Sequence, residues 1–111
     1  MAEVYKRLGS VTANGTIGTA QTLYGAVPAS TSAVVSTIVI CNQAATSATY
    51  RLGYSTTTSY ITADMLVFGA TIAANDTVFL TIGATLAATT YLLFSASAAT
   101  VNAVAFGTEI T

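Results

Sequence analysis

The chain has no histidine, no tryptophan, one cysteine and one proline, and only 6% of its 111 residues are charged. Each scarcity excludes something. Without histidine, the commonest general base and the commonest metal ligand are missing, so Ser-His-Asp and Cys-His arrangements are impossible within one chain. One cysteine and no histidine cannot furnish the donor set of a zinc site. Cys41 has no internal partner for a disulfide, which fits assembly in a reducing cytosol. It ends the run Thr37-Ile38-Val39-Ile40-Cys41, where a lone cysteine is expected to act as a small buried hydrophobe.

Positive charge is equally scarce. Lys6, Arg7 and Arg51 are the only basic residues, and the formal net charge is −1. Nucleic-acid binding needs a basic patch that neutralises phosphates, and three cations do not make one. The carboxylates are Glu3, Asp64, Asp76, Glu109 and the C-terminus. Asp76 reads as part of a turn, Glu3 and Glu109 lie near the chain ends, and Asp64 reads as a solvated loop residue. No spacing of the EF-hand type, no phosphate-binding P-loop and no dinucleotide fingerprint occurs. The expectation is therefore no catalytic residue, no metal and no cofactor.

A membrane role is also not expected. No charged residue occurs from Thr77 to Thr108, a stretch long enough to cross a bilayer. It is broken by Gly83, Thr85, Thr89, Thr90, Ser95, Ser97, Thr100 and Asn102, and no Lys/Arg cluster flanks it. The opening Met1-Ala2-Glu3-Val4-Tyr5-Lys6-Arg7 carries no apolar run after its positive charges, so no secretory signal is expected.

What the chain has in quantity is apolar residues, at 53%, and Thr plus Ser, which make up about a quarter of it. Threonine is β-branched and suits a pleated, half-exposed surface. A Thr-rich surface with few ions can be buried against a partner without desolvating charges, the costly part of burying polar surface. Much of this surface is thus expected to meet another protein.

Short runs of Val, Ile, Thr, Tyr and Phe alternate with clusters of Gly, Asn, Asp, Ser and Ala, and about eight strands are expected. They cover 4–11, 19–27, 33–41, 47–54, 65–68, 77–82, 90–96 and 101–106. The third is apolar on both faces, which predicts a central strand covered on both sides. In the fourth, Ala48, Tyr50, Leu52 and Tyr54 share one face, and Tyr50 is expected in the core. In the sixth, Val78, Leu80 and Ile82 are in phase. The Ala-rich 84–88 and 95–99 are too short for stable helices; a helical turn is expected at most near 60–66. The pattern predicts one all-β domain, 1–111, folded as a sandwich or a barrel. Residues 1–10 form either an N-terminal arm or an edge strand. Tyr5, Lys6 and Arg7 would be assembly contacts in the first case; in the second, Lys6 blocks unwanted strand pairing. Thr57, in the Ser55–Ser59 loop, and Tyr60 beside it are the other expected assembly contacts, since Tyr is favoured at interfaces.

The runs Thr22–Ala29 and Ser32–Asn42, with Thr49-Tyr50-Arg51, Ile72–Val78 and Tyr5–Ser10, resemble small virion proteins of tailed bacteriophages. The resemblance covers most of the chain loosely, and Gly53–Tyr60 departs from it. It implies a single-domain antiparallel β-sandwich of jelly-roll or Ig-like type in a phage particle, assembled in the host cytoplasm. The role expected first is head decoration (cement), binding the major capsid protein as a homo-oligomer, with a trimer suggested. The alternatives are a tail, neck or fibre protein and, from a different class, a carbohydrate-binding β-sandwich, for which no Trp platform is present.

Overall fold

The computed structural model describes residues 3–111. Eight strands follow one another: β1 (Glu3–Thr12), β2 (Gln21–Tyr24), β3 (Ser32–Asn42), β4 (Ala48–Ser55), β5 (Met65–Ile72), β6 (Thr77–Leu86), β7 (Tyr91–Ala96) and β8 (Val101–Ile110). A single 3-10 turn, Thr62–Asp64, precedes β5. No helix among the described residues is long and apolar enough to cross a membrane.

The strands form two four-stranded antiparallel sheets, ordered β1-β8-β3-β6 and β2-β7-β4-β5. Every connection passes from one sheet to the other except β4 to β5. This order is that of a jelly roll; the Ig arrangement distributes its strands differently. The pattern's alternatives of sandwich and barrel resolve to a sandwich, and of the two types that the resemblance implies, the strand order is the jelly roll's.

The sheets close on a core of Ile38, Ile40, Val101, Ala103 and Ala105 from one side and Tyr50, Leu52, Leu92, Phe94 and Ala96 from the other, all buried. Small alanines and large rings share this core, and the Tyr50 and Phe94 centroids lie 6.4 Å apart in a tilted pair. Tyr50 is in the core, as its phase with Leu52 predicts.

The strands differ from expectation at their ends and phases. β2 is shorter than 19–27, because Thr16–Thr19 closes a turn (Thr19 N–H to the Thr16 carbonyl, 3.1 Å) and the chain leaves the sheet at Gly25, with φ of 128°. β5 and β6 run on to Ile72 and Leu86, since pairing with a neighbour overrides the helical preference of Ala84.

A row of register breaks crosses the first sheet. Leu8 is extra in β1, Ser36 is extra in β3, and Ile82–Gly83 lie opposite Ser36 in β6. Each break flips the alternation, so β3 buries Ala33 and Val35 before it, and Ile38, Ile40 and Asn42 after it.

One expectation is corrected. β3 is central in its sheet, yet only one of its faces is covered: Val34, Val39 and Cys41 on the other face are partly exposed. Cys41 is accordingly half-buried on the outside of the sandwich rather than a core residue.

Candidate assembly surfaces

β1 forms one edge of the first sheet, so Tyr5, Lys6 and Arg7 lie on an edge strand; Met1 and Ala2 fall outside the described residues. Tyr5 is 76% exposed. Lys6 turns back onto its own chain: its Nζ lies 2.7 Å from Glu109 Oε1. The other carboxylate oxygen accepts a hydrogen bond from the Tyr24 hydroxyl. Strands β1, β2 and β8 thus converge on one carboxylate, and this cluster links the two sheets. Arg7 points outward beside Ser10, Thr12, Gln43, Asn102 and Val104, around a hollow of about 360 Å³.

The Lys6 ammonium and the Tyr24 hydroxyl hold the Glu109 carboxyl below its ordinary value, while burial and the facing carboxylate push the Tyr24 phenol upward. The two shifts bracket a pH window. A carboxyl depressed on folding stabilises the protein above its unfolded value, near 4.5, and that contribution is lost as pH falls through the folded one. A phenol raised on folding stabilises below its unfolded value, near 10, and loses that contribution at higher pH. Stability is therefore expected to decline below about pH 4.5 and above about pH 10. Glu109→Gln should flatten the acid limb and cost about 1–2 kcal/mol at neutral pH. Urea midpoints of both proteins at pH 7, 4 and 3 check this; parallel declines would rule out Glu109 as the titrating group.

Thr57 and Tyr60 lie in the other sheet's β4–β5 connection, so the structure splits the five expected contacts into two groups. Thr57 is exposed, but its polar groups build its own loop: its N–H donates to Ser55 Oγ at 3.0 Å, and its hydroxyl lies 3.1 Å from that oxygen. Tyr60 folds over the outside of β7. Ser95 spends its hydroxyl hydrogen on the Ile17 carbonyl (2.6 Å), so Tyr60 is the donor in the 2.6 Å contact with Ser95 Oγ. Burial raises the Tyr60 phenol from its ordinary value, against the opposing effects of Ser95 and Arg51. Tyr60 ties a loop to the sheet and is only half-buried. Next to it, the Arg51 guanidinium sits 4.0 Å above the ring of Phe68, which is 69% exposed.

Asp76 acts as a turn residue, its Oδ1 accepting the Thr77 N–H at 2.8 Å. Asp64 ends the 3-10 turn, with its N–H on the Ile61 carbonyl at 2.9 Å.

A further candidate surface is the outer face of the first sheet, where strands β8, β3 and β6 carry none of the contacts expected from sequence. Across it, Val39 sits between Val104 and Phe79, and Thr37 between Phe106 and Thr81. Phe79 is 69% exposed and Phe106 40%. Ser10 and Thr12 continue the face across β1, and Arg7 is the charge at its rim. The sequence carried the signal: Phe79 is out of phase with Val78, Leu80 and Ile82, so it must leave the core if they enter it.

No protein-family model matches the chain, and no curated protein matches it either.

Proposed function

We propose that the chain is a non-enzymatic structural protein of a tailed-phage virion, a decoration protein that seats on the major capsid protein and stabilises the head shell. The observation that carries the reading is the outer face of the β1-β8-β3-β6 sheet. Its centre is built from Val39, Val104, Phe79, Phe106, Thr37 and Thr81, with no ion among them. Covering such a face removes apolar area from water, and its hydroxyls are cheap to desolvate beside charges. The central strand β3 is apolar on both sides although its own chain covers only one, as expected of a strand whose second cover is another protein. The sequence resemblance points to the same class of particle.

In this reading each copy makes modest contacts, and binding strength comes from repetition over the shell. Each bound copy favours the assembled shell by mass action. The test is the stoichiometry of this protein against the major capsid protein in purified particles. A ratio near one, or a fixed simple fraction of it, is expected. A few copies per particle would move the protein to the tail or neck, and absence from particles would remove it from the virion.

A further inference from the structure

A sandwich has four strand edges, each a row of unpaired N–H and C=O groups that invites another chain. Three are blunted here. β1 carries Lys6, Arg7 and the register break at Leu8. β2 is four residues long. β5 is broken twice, skipping Gly69 and Leu66 in its pairing with β4, and Gly69 has φ of 79°. β6 differs: Thr77–Thr81 pair without interruption to Cys41–Thr37, and the break comes only at Ile82–Gly83. No charged residue occurs in β6, and Asp76 stands just before it.

The direction of its free groups follows from β3. Asn42 donates its N–H to the Asp76 carbonyl on the β6 side, and Gln43 donates to the Thr100 carbonyl on the β8 side. Main-chain groups alternate along a strand, so Ile38 and Ile40 face β6. Their partners Leu80 and Val78 face back toward β3. Phe79 and Thr81 therefore aim their N–H and C=O groups outward, where the described residues place no strand, while the outward N–H of Thr77 is taken by Asp76 Oδ1. The same flank is open below: Val78, Leu80, Ile82 and Ala84 pack on the core but are only partly buried, and β5 and β6 make no substantial contact.

We propose that this edge is a homodimer interface, in which β6 of two copies pair antiparallel about a dyad and fuse two four-stranded sheets into one. The second copy is the occupant that the edge itself specifies. An antiparallel edge is complementary to its own copy under a twofold axis, since each outward N–H meets an outward C=O. A dyad near Leu80 sets Phe79 against the partner's Thr81 on the outer face, a cross-strand pair of an aromatic with a β-branched residue. It keeps the two Asp76 carboxylates roughly 27 Å apart, eight residues along the paired strands. It also covers the half-exposed Val78 and Leu80. The association is twofold, in contrast to the trimer that the resemblance suggests, and it does not rest on the virion reading: absence from particles would leave it standing.

The test is the solution mass of the full chain by light scattering, with hydrogen exchange of the β6 amides. The wild type is expected at twice the 11.2 kDa chain mass, with the Phe79 and Thr81 amides protected. Thr81→Pro removes an outward N–H without touching the β3–β6 ladder, and should halve the mass. Thr81→Lys, which keeps the N–H but brings two like charges near the dyad, should do the same and serves if the proline variant does not fold. Lys6→Ala, on the opposite edge, should leave the dimer intact. A single-chain mass for the wild type with freely exchanging Phe79 and Thr81 amides, a threefold mass, or a dimer that survives both Thr81 substitutions would overturn the proposal.

Discussion

Gly107→Ala is expected to lower the melting temperature by more than about 10 °C, from a loss of more than about 3 kcal/mol. Gly107 lies in β8 between Lys6 of β1 and Val35 of β3, beside the row of register breaks. A methyl group there would run into the Val34 carbonyl oxygen, with the Val34 carbonyl carbon at 3.0 Å and Leu8 Cδ1 at 3.1 Å. Leu8 is a side chain and can rotate. The Val34 carbonyl belongs to a central strand held by neighbours on both sides, so it cannot withdraw without breaking a ladder. The control is Gly18→Ala, where the added carbon meets nothing within 4 Å; it should stay within about 0.5 kcal/mol of wild type. Thermal melts of the two variants decide the matter. If Gly107→Ala melts like Gly18→Ala, the two strands do not approach as closely as the bulged register requires. Because the same row of breaks passes through Ile82–Gly83, a sheet forced out of this shape would also displace the regular half of β6.

All eight strands were legible because runs rich in β-branched and aromatic residues, several with period-2 alternation, lay between turn residues such as Asn75-Asp76. Their order was not legible, since local pattern carries no information on which strands pair at a distance. The bulges were hidden for a related reason. Ser36 and Thr37 are both half-exposed, and nothing in their chemistry says that the alternation slips between them. The candidate assembly surface was legible in part. The scarcity of charge pointed to a surface able to meet protein, and the two-faced apolar pattern singled out β3, but nothing local in the sequence said that the described residues cover only one of its faces. Lys6 was read as either arm or edge, and what fixes its role is Glu109, at the far end of the chain and adjacent only through the β1–β8 pairing. Tyr60 looked like a contact for a partner because its own contact, Ser95, becomes visible only when the β4–β5 loop folds across β7.

Asn42→Ala should cost about 2–4 kcal/mol, through one side chain that joins three loops. Asn42 ends β3 and is 1% exposed. Its Nδ2 donates to the Thr46 carbonyl at 2.9 Å and the Ala73 carbonyl at 3.2 Å, while its Oδ1 accepts from the Ala44 N–H at 3.1 Å and the Thr100 hydroxyl at 3.4 Å. With acceptors on one side and donors on the other, the amide has only one orientation that satisfies all four. The partners lie in the β3–β4, β5–β6 and β7–β8 connections, so alanine would strand the polar groups of a whole end of the sandwich. Asn42→Asp separates this account from simple loss of packing. It keeps the size but sets a carboxylate against two carbonyls, so its pKa must rise on folding. A carboxyl raised on folding destabilises most when ionised, so the deficit of Asn42→Asp relative to wild type should shrink as pH falls from 7 toward 5. The deficit of Asn42→Ala should not change over that range. Denaturant titrations of the three proteins at both pH values make the comparison, and hydrogen exchange locates the damage. The Asn75 amide, bonded to the Ala44 carbonyl at 2.9 Å, should lose protection before the β4 amides do. Two variants with equal, pH-independent deficits would mean that Asn42 fills space rather than satisfying the loops. The turn that begins β6 would then be held by main-chain bonds such as the Asn42 N–H on the Asp76 carbonyl and the Asn75 N–H on the Ala44 carbonyl, without the Asn42 side chain.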